Sequence, residues 1–198
     1  MGNPRYKDGF NVVCHYDLVE LPLKWKKPRM IFVNSMSDIF HEDVSDNFIL
    51  QLFNVMGQAH WHIFQVLTKR PERLRSICHK LSWAENIWFG VTVESQAYVN
   101  RLDWLSQCQA NIRFVSFEPL LSEIRDITLD DVDWVIVGGE SGPGAREIKK
   151  EWVLAIRNLS LESNVPFFFK QWGGVNKKKS GRLLDGVEWL QYPEYRLL

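Results

Sequence analysis

Ile87-Trp-Phe-Gly-Val-Thr-Val-Glu94 is a nearly continuous apolar run that closes on a carboxylate. Such a run suits a parallel strand, which helices cover on both faces. Five other segments share the form: Met30-Ile-Phe-Val-Asn-Ser-Met-Ser-Asp38, His62-Ile-Phe-Gln-Val-Leu-Thr-Lys-Arg70, Ile112-Arg-Phe-Val-Ser-Phe-Glu118, Trp134-Val-Ile-Val-Gly-Gly-Glu140 and Pro166-Phe-Phe-Phe-Lys-Gln171. Parallel α/β sheets hold their ligands at the carboxyl ends of the strands. Asp38, Lys69, Arg70, Glu94, Glu118, Glu140 and Lys170 are therefore expected on one rim.

Segments of helical period lie between these strands, which is the pattern of repeated βα units. Ser45 or Asp46 is positioned to cap a helix with the stripe Phe48, Ile49, Leu52, Phe53 and Met56, ending near Gly57. Pro71 suits the first turn of the next helix. A third is expected from Ser95 with Tyr98, Leu102 and Leu105 inward, and a fourth carries Trp152, Val153, Ile156 and Leu159. Residues 119–133 lack a stripe and read as a loop. Right-handed crossovers leave an open doubly wound sheet or a barrel. Charged side chains at nearly every strand end favour the barrel, because an open sheet gathers them at one switch point. The expectation is an α/β chain of parallel (βα) repeats forming a partial TIM barrel, one domain over 1–198 with flanks at 1–29 and 173–198.

With 198 residues, 45% of them hydrophobic, the chain is long enough to bury one core. Lysine plus arginine and aspartate plus glutamate number 24 each, so bulk charge names no polyanionic partner and any such contact needs a local patch. No segment has the length of a membrane span or the form of a leader, which sets a cytoplasmic location as the expectation, with no membrane partner. Cys14, Cys78 and Cys108 lack metal-ligand spacing. Cys78 shares a helical stripe with Leu74, Ile77 and Leu81 and reads as a core residue.

Several motifs carry two readings. The Gly138-Gly-Glu-Ser-Gly-Pro-Gly144 loop follows a strand and precedes a helix, so its amides form either an anion nest or a tight structural turn. Glu94 and Glu118 end neighbouring strands; they are either an acid/base pair with one raised pKa or members of an ion network with Lys69, Arg70 or Lys170. The network is the preferred reading. His60 and His62 share a strand face but stand at the end opposite the rim, which favours a structural role. Asp38, His41 and Glu42 are the better candidate metal cluster. Lys177, Lys178, Lys179 and Arg182 follow Trp172, an arrangement for phosphates with a stacked base or else a solvated loop, and the segment from Lys24 to Arg29 reads the same way.

The segments Gly2-Asn-Pro-Arg-Tyr-Lys7, Pro28 to Asp43, Gln65 to Arg73, Phe117-Glu-Pro-Leu-Leu121, Trp134 to Arg146 and Phe167 to Gly174 together resemble a phage-associated family of unknown function. Its members look like radical S-adenosylmethionine enzymes with a partial TIM barrel and carry an N-terminal three-cysteine motif for a [4Fe-4S] cluster. This chain begins after that motif, so by this resemblance it is N-terminally truncated and cluster-deficient, with S-adenosylmethionine and [4Fe-4S] implied only for full-length relatives. The resemblance implies cofactor contacts from Asn34, Ser35, Ser37 and Asp38 and from Gly138, Gly139 and Glu140. Glu94, Glu118 and Lys69 are then the candidate catalytic residues, and Arg70, Lys170, Gln171, Trp172 and Lys177 to Lys179 the candidate substrate contacts. A nucleotide or nucleic acid is the expected substrate class, and a partner protein is expected to cover the barrel edge left open. The alternatives are a non-catalytic nucleic-acid or protein-binding module, and a metal hydrolase built on Asp38, His41 and a rim glutamate.

Overall fold

The computed structural model describes residues 11–35 and 37–195, without the side chains of Lys177 and Lys178. The Gly2 to Lys7 segment lies outside the described residues. In chain order the helices and strands are α1 (Leu21–Lys24), β1 (Met30–Val33), α2 (Asp46–Gln58), β2 (Ile63–Thr68), α3 (Pro71–Ile77), β3 (Ile87–Thr92), α4 (Arg101–Leu105), β4 (Ile112–Phe117), β5 (Trp134–Gly138), α5 (Lys150–Glu162), β6 (Phe167–Gln171), α6 (Lys177–Ser180), β7 (Leu183–Leu184) and β8 (Val187–Glu188).

The first six strands form one all-parallel sheet in sequential order, β1-β2-β3-β4-β5-β6. It curls into a half-barrel that does not close among the described residues, which is the form of a partial barrel. The strands alternate between two apolar layers. On the helix-covered face Phe64, Val66, Phe89, Val91, Val115, Val137 and Phe169 join one large core with α2, α3 and α5. On the concave face Ile63, Trp88, Phe114 and Trp134 form a second cluster, with Ile136 and Phe168 packed against it. Phe114 lies so close over Gly90 that a Cβ there would stand 2.5 Å from its ring, which is why β3 carries a glycine mid-strand.

Local chemistry sets the helix starts. Ser45 Oγ accepts from Phe48 N (3.3 Å) at the head of α2, and Pro71 occupies the first turn of α3. The third helix is shorter than its pattern suggested: a 3₁₀ turn spans Gln96–Tyr98 before α4. Tyr98 is 44% exposed and lies under the Arg101 guanidinium, so only Leu102 and Leu105 turn inward. Residues 119–133 form a loop whose Leu120, Ile124 and Leu129 are nevertheless buried. His62 is fully buried at the base of β2, its Nδ1 accepting from Arg29 N (3.1 Å) and its Nε2 3.0 Å from Pro22 O.

The two sheet edges differ. A strap after β8 covers β6: Phe169 N donates to Trp189 O (2.8 Å) and Gln191 N to Phe167 O (3.1 Å). Among the described residues β1 has no strand on its outer side, and Phe32 there is 44% exposed.

Candidate ligand-binding rim

Strand alternation and parallel register carry the charged strand ends to the C-terminal rim of the half-barrel. Glu94, two residues beyond β3, has a side chain only 10% exposed and is clamped from two sides. Lys69 Nζ lies 2.6 Å from its Oε1 and Arg101 Nη1 2.7 Å from its Oε2, while the same Arg101 nitrogen donates to Thr92 O (2.6 Å). Burial pushes the Glu94 carboxyl up. The Lys69 hydrogen bond, a backbone amide and the charges of Lys69 and Arg101 together outweigh it, and the carboxyl sits below the ordinary carboxylate range.

Glu118, one residue beyond β4, accepts from Lys170 Nζ (2.9 Å) and Gln171 Nε2 (2.7 Å). Adjacent strand residues ordinarily face opposite ways. A register shift at Val137/Gly138 pairs Gly138 with Gln171 and brings both side chains to one carboxylate. Gly138 packs closely on it: a Cβ there would lie 3.1 Å from the Glu118 carboxyl carbon. The Glu118–Pro119 peptide is cis, and the loop beyond it is tied across the rim by Leu120 N to Gly138 O (2.9 Å) and Leu121 N to Glu94 O (2.8 Å).

Asp38 joins the first two strand ends. Its carboxylate accepts from Phe40 N, Thr68 Oγ1 and Lys69 N, each at 2.9 Å, and from Arg70 Nη1 at 3.4 Å. Asn34, Ser35 and Ser37 form the exposed turn before it; Asn34 has φ 60° and its Nδ2 donates to Ser37 Oγ (2.7 Å). Asp38 does not combine with His41 and Glu42: no group of three or more His, Cys, Asp or Glu among the described residues is placed to hold a metal ion.

The glycine loop after β5 binds its own carboxylate. Glu140 takes a bidentate pair from Arg146, Nε at 2.9 Å and Nη2 at 2.7 Å, and the Arg146 amide at 2.8 Å. Those contacts hold its carboxyl down at about 2. The amides of Gly139 and Gly142 are committed to Gln171 O (2.9 Å) and Gly174 O (3.2 Å), and Gly174 N to Glu140 O (2.7 Å). The loops after β5 and β6 are thus zipped together, and α5 begins only at Lys150. The structural turn, rather than a nest open to an external anion, describes these amides.

A family model matches residues 2–193. The chain belongs to DUF5131, described as a protein of unknown function. No curated protein and no solved structure matches this DUF5131 chain.

Beyond the rim, Trp172 packs its ring on Phe169 (centroids 4.8 Å apart) and donates Nε1 to Leu183 O (2.9 Å). Lys179 lies in α6, while the Lys177 and Lys178 side chains fall outside the described residues. The cysteines do not form a cluster site: Cys14 is on the N-terminal flank, Cys78 is half-buried after α3, and burial raises the Cys108 thiol to about 11. Two surface hollows, of about 730 and 840 Å3, open at the opposite end of the sheet from the rim. The sequence reading missed Arg101 and Arg146. Both follow their carboxylate within the same connecting segment, seven residues after Glu94 and six after Glu140, and that short spacing was the available signal. It also missed Thr68, whose hydroxyl ends a run that otherwise reads as plain strand.

Proposed function

We propose that the rim at the strand C-termini binds a small ligand bearing both charges, and that this DUF5131 half-barrel is radical-SAM-like with S-adenosylmethionine as the ligand class. The observation that carries the reading is the alternation of charge around Lys69, Glu94, Glu118 and Lys170. The outer sides of both lysines stay about half exposed, at 51% and 53%, above carboxylates they already touch. A ligand carboxylate suits the lysines, and a ligand ammonium suits the acceptors of Glu118. Thr92 and Ser116 add to the fit. Each is 2% exposed, and strand alternation sets it one step below Glu94 or Glu118 on the same face of the sheet. S-adenosylmethionine supplies, when bound, a sulfonium-activated alkyl group; the residues here hold and orient it. A [4Fe-4S] cluster does not fit the described cysteines, and no step is assigned to one.

The lowered Glu94 carboxyl is ionised at neutral pH and suits recognition rather than proton donation. Calorimetric titration with S-adenosylmethionine tests the proposal. Binding that Glu118→Gln and Lys69→Ala each weaken roughly tenfold is the expected result, the scale of one charge-assisted hydrogen bond. Absence of binding at millimolar ligand refutes it. A second reading, phosphate recognition by a non-catalytic module, rests on the same half-exposed lysine tips. It predicts that a nucleotide binds where S-adenosylmethionine does not.

A further inference from the structure

A second feature lies at the other end of the sheet, where the strands begin. The 840 Å3 hollow there has Trp61 and Tyr195 in its walls and the buried Trp88 as its floor, with Asn86, Asn111 and Glu85 around them. Its size falls within the range of small-molecule sites. Tyr195 stands edge-on to Trp88, with centroids 5.3 Å apart, and remains 40% exposed. The polar groups are mostly acceptors. Asn86 spends its Nδ2 on the carbonyls of Met56, Ala59 and His62, while its buried Oδ1 has no partner. Glu85 and Glu194 add carboxylates.

One wall of this hollow is bonded to a strip of exposed cations. Trp61 Nε1 donates to Trp25 O (2.7 Å), and Arg29 N donates to His62 Nδ1 (3.1 Å). Between and beside these anchors stand Lys24, Lys26, Lys27 and Arg29, all exposed, with the Arg29 guanidinium 4.5 Å from the Trp25 ring centre. The chain is neutral overall, so this concentration of charge is local. Four cations in six residues match a run of phosphates better than a single one. Aromatic rings beside them match a base, and the carboxylates of Glu85 and Glu194 match a base with an amino group.

We propose that the N-terminal end of the sheet binds single-stranded nucleic acid, with its phosphates along Lys24 to Arg29 and one amino-bearing base stacked in the hollow against Trp61 and Tyr195. A single strand is required because the base must leave its neighbours to enter, which a duplex resists. Glu85 and Glu194 keep phosphate out of the hollow and so fix the polarity of the site.

Fluorescence anisotropy with labelled deoxycytidine and thymidine hexamers across a salt series tests this on the full chain. The expected slope of log affinity against log salt is about −3 for four phosphate contacts. Lys26→Ala with Lys27→Ala should flatten it by about 1 to 1.5. Tyr195→Ala should weaken binding about tenfold or more, Tyr195→Phe should restore it, and cytosine should be preferred to thymine about fivefold. Lys170→Ala, at the rim, should leave all of this unchanged. The proposal is overturned by no binding at low salt, by binding that ignores Tyr195 and the base, by loss of binding in Lys170→Ala, or by a nucleoside monophosphate competing as well as the hexamer. Failure of S-adenosylmethionine binding at the rim bears on none of these outcomes.

Discussion

Gly139→Ala is expected to unzip the rim. A Cβ at this position would lie 2.0 Å from Trp172 O and 2.6 Å from its carbonyl carbon, both backbone atoms with no rotamer to escape into. Real Cβ atoms hardly ever approach another heavy atom within 3.0 Å, so the loops after β5 and β6 must part by about 1 Å. That separation strains Gly139 N to Gln171 O and Gly174 N to Glu140 O, now 2.9 and 2.7 Å. Two weakened backbone hydrogen bonds and the overpacking together cost about 2–4 kcal/mol. Gly138→Ala makes the informative contrast. Its Cβ meets the Glu118 side chain at 3.1 Å, and a side chain can move aside. That substitution should cost under about 1 kcal/mol of stability yet displace Glu118 from Lys170 and Gln171, and so weaken any rim ligand. Urea unfolding of both variants measures the difference. A Gly139→Ala protein within about 0.5 kcal/mol of the parent would refute the account of the zipped loops.

Two further outcomes follow from the rim electrostatics. Arg101→Leu strips one cation from a nearly buried carboxylate while Lys69 remains, and should cost about 2–3 kcal/mol at neutral pH. Because the folded Glu94 carboxyl lies below its unfolded value of 4.5, the parent's stabilisation is present above that pH and fades as pH falls below it. The deficit of the variant should therefore narrow in acid, which denaturant titrations at pH 7 and pH 4 will show; a deficit that widens refutes the pairing. For Glu140, held at about 2 from 4.5, the stabilisation is whole above 4.5 and lost as pH falls through about 2. Arg146→Gln should remove that acid dependence, seen as a carbon-detected NMR titration of the Glu140 carboxyl returning toward its ordinary value.

The strands and their parallel order were legible because burial on both faces demands long apolar runs, and all six runs became neighbours in sequence order. The starts of α2 and α3 were legible in Ser45 and Pro71, whose chemistry acts within a few residues. Tyr98 was misjudged because helical periodicity presumes a helix, and the 3₁₀ turn rotated the ring out to Arg101. At the rim, the sequence placed Glu94 and Glu118 at strand ends and favoured an ion network over a carboxylate pair, but did not say which cation each would meet. A bulge at Val137/Gly138 decided the partners of Glu118, and a bulge has no compositional mark. The strap over β6 was equally hidden, since its bonds at Trp189 and Gln191 use backbone groups that every residue owns.

The aromatic floor of the concave face also makes the protein its own optical reporter. The indoles of Trp88 and Trp134 stand 5.9 Å apart at 81°, and Tyr195 and Tyr192 press on them at 5.3 and 5.0 Å. Transition dipoles this close and this oblique couple and give circular dichroism of opposite sign on either side of the shared absorption. The two tyrosines belong to the segment that follows the β6 strap, so its seating is written into the near-ultraviolet spectrum. A spectrometer can follow that segment lifting and settling without a label.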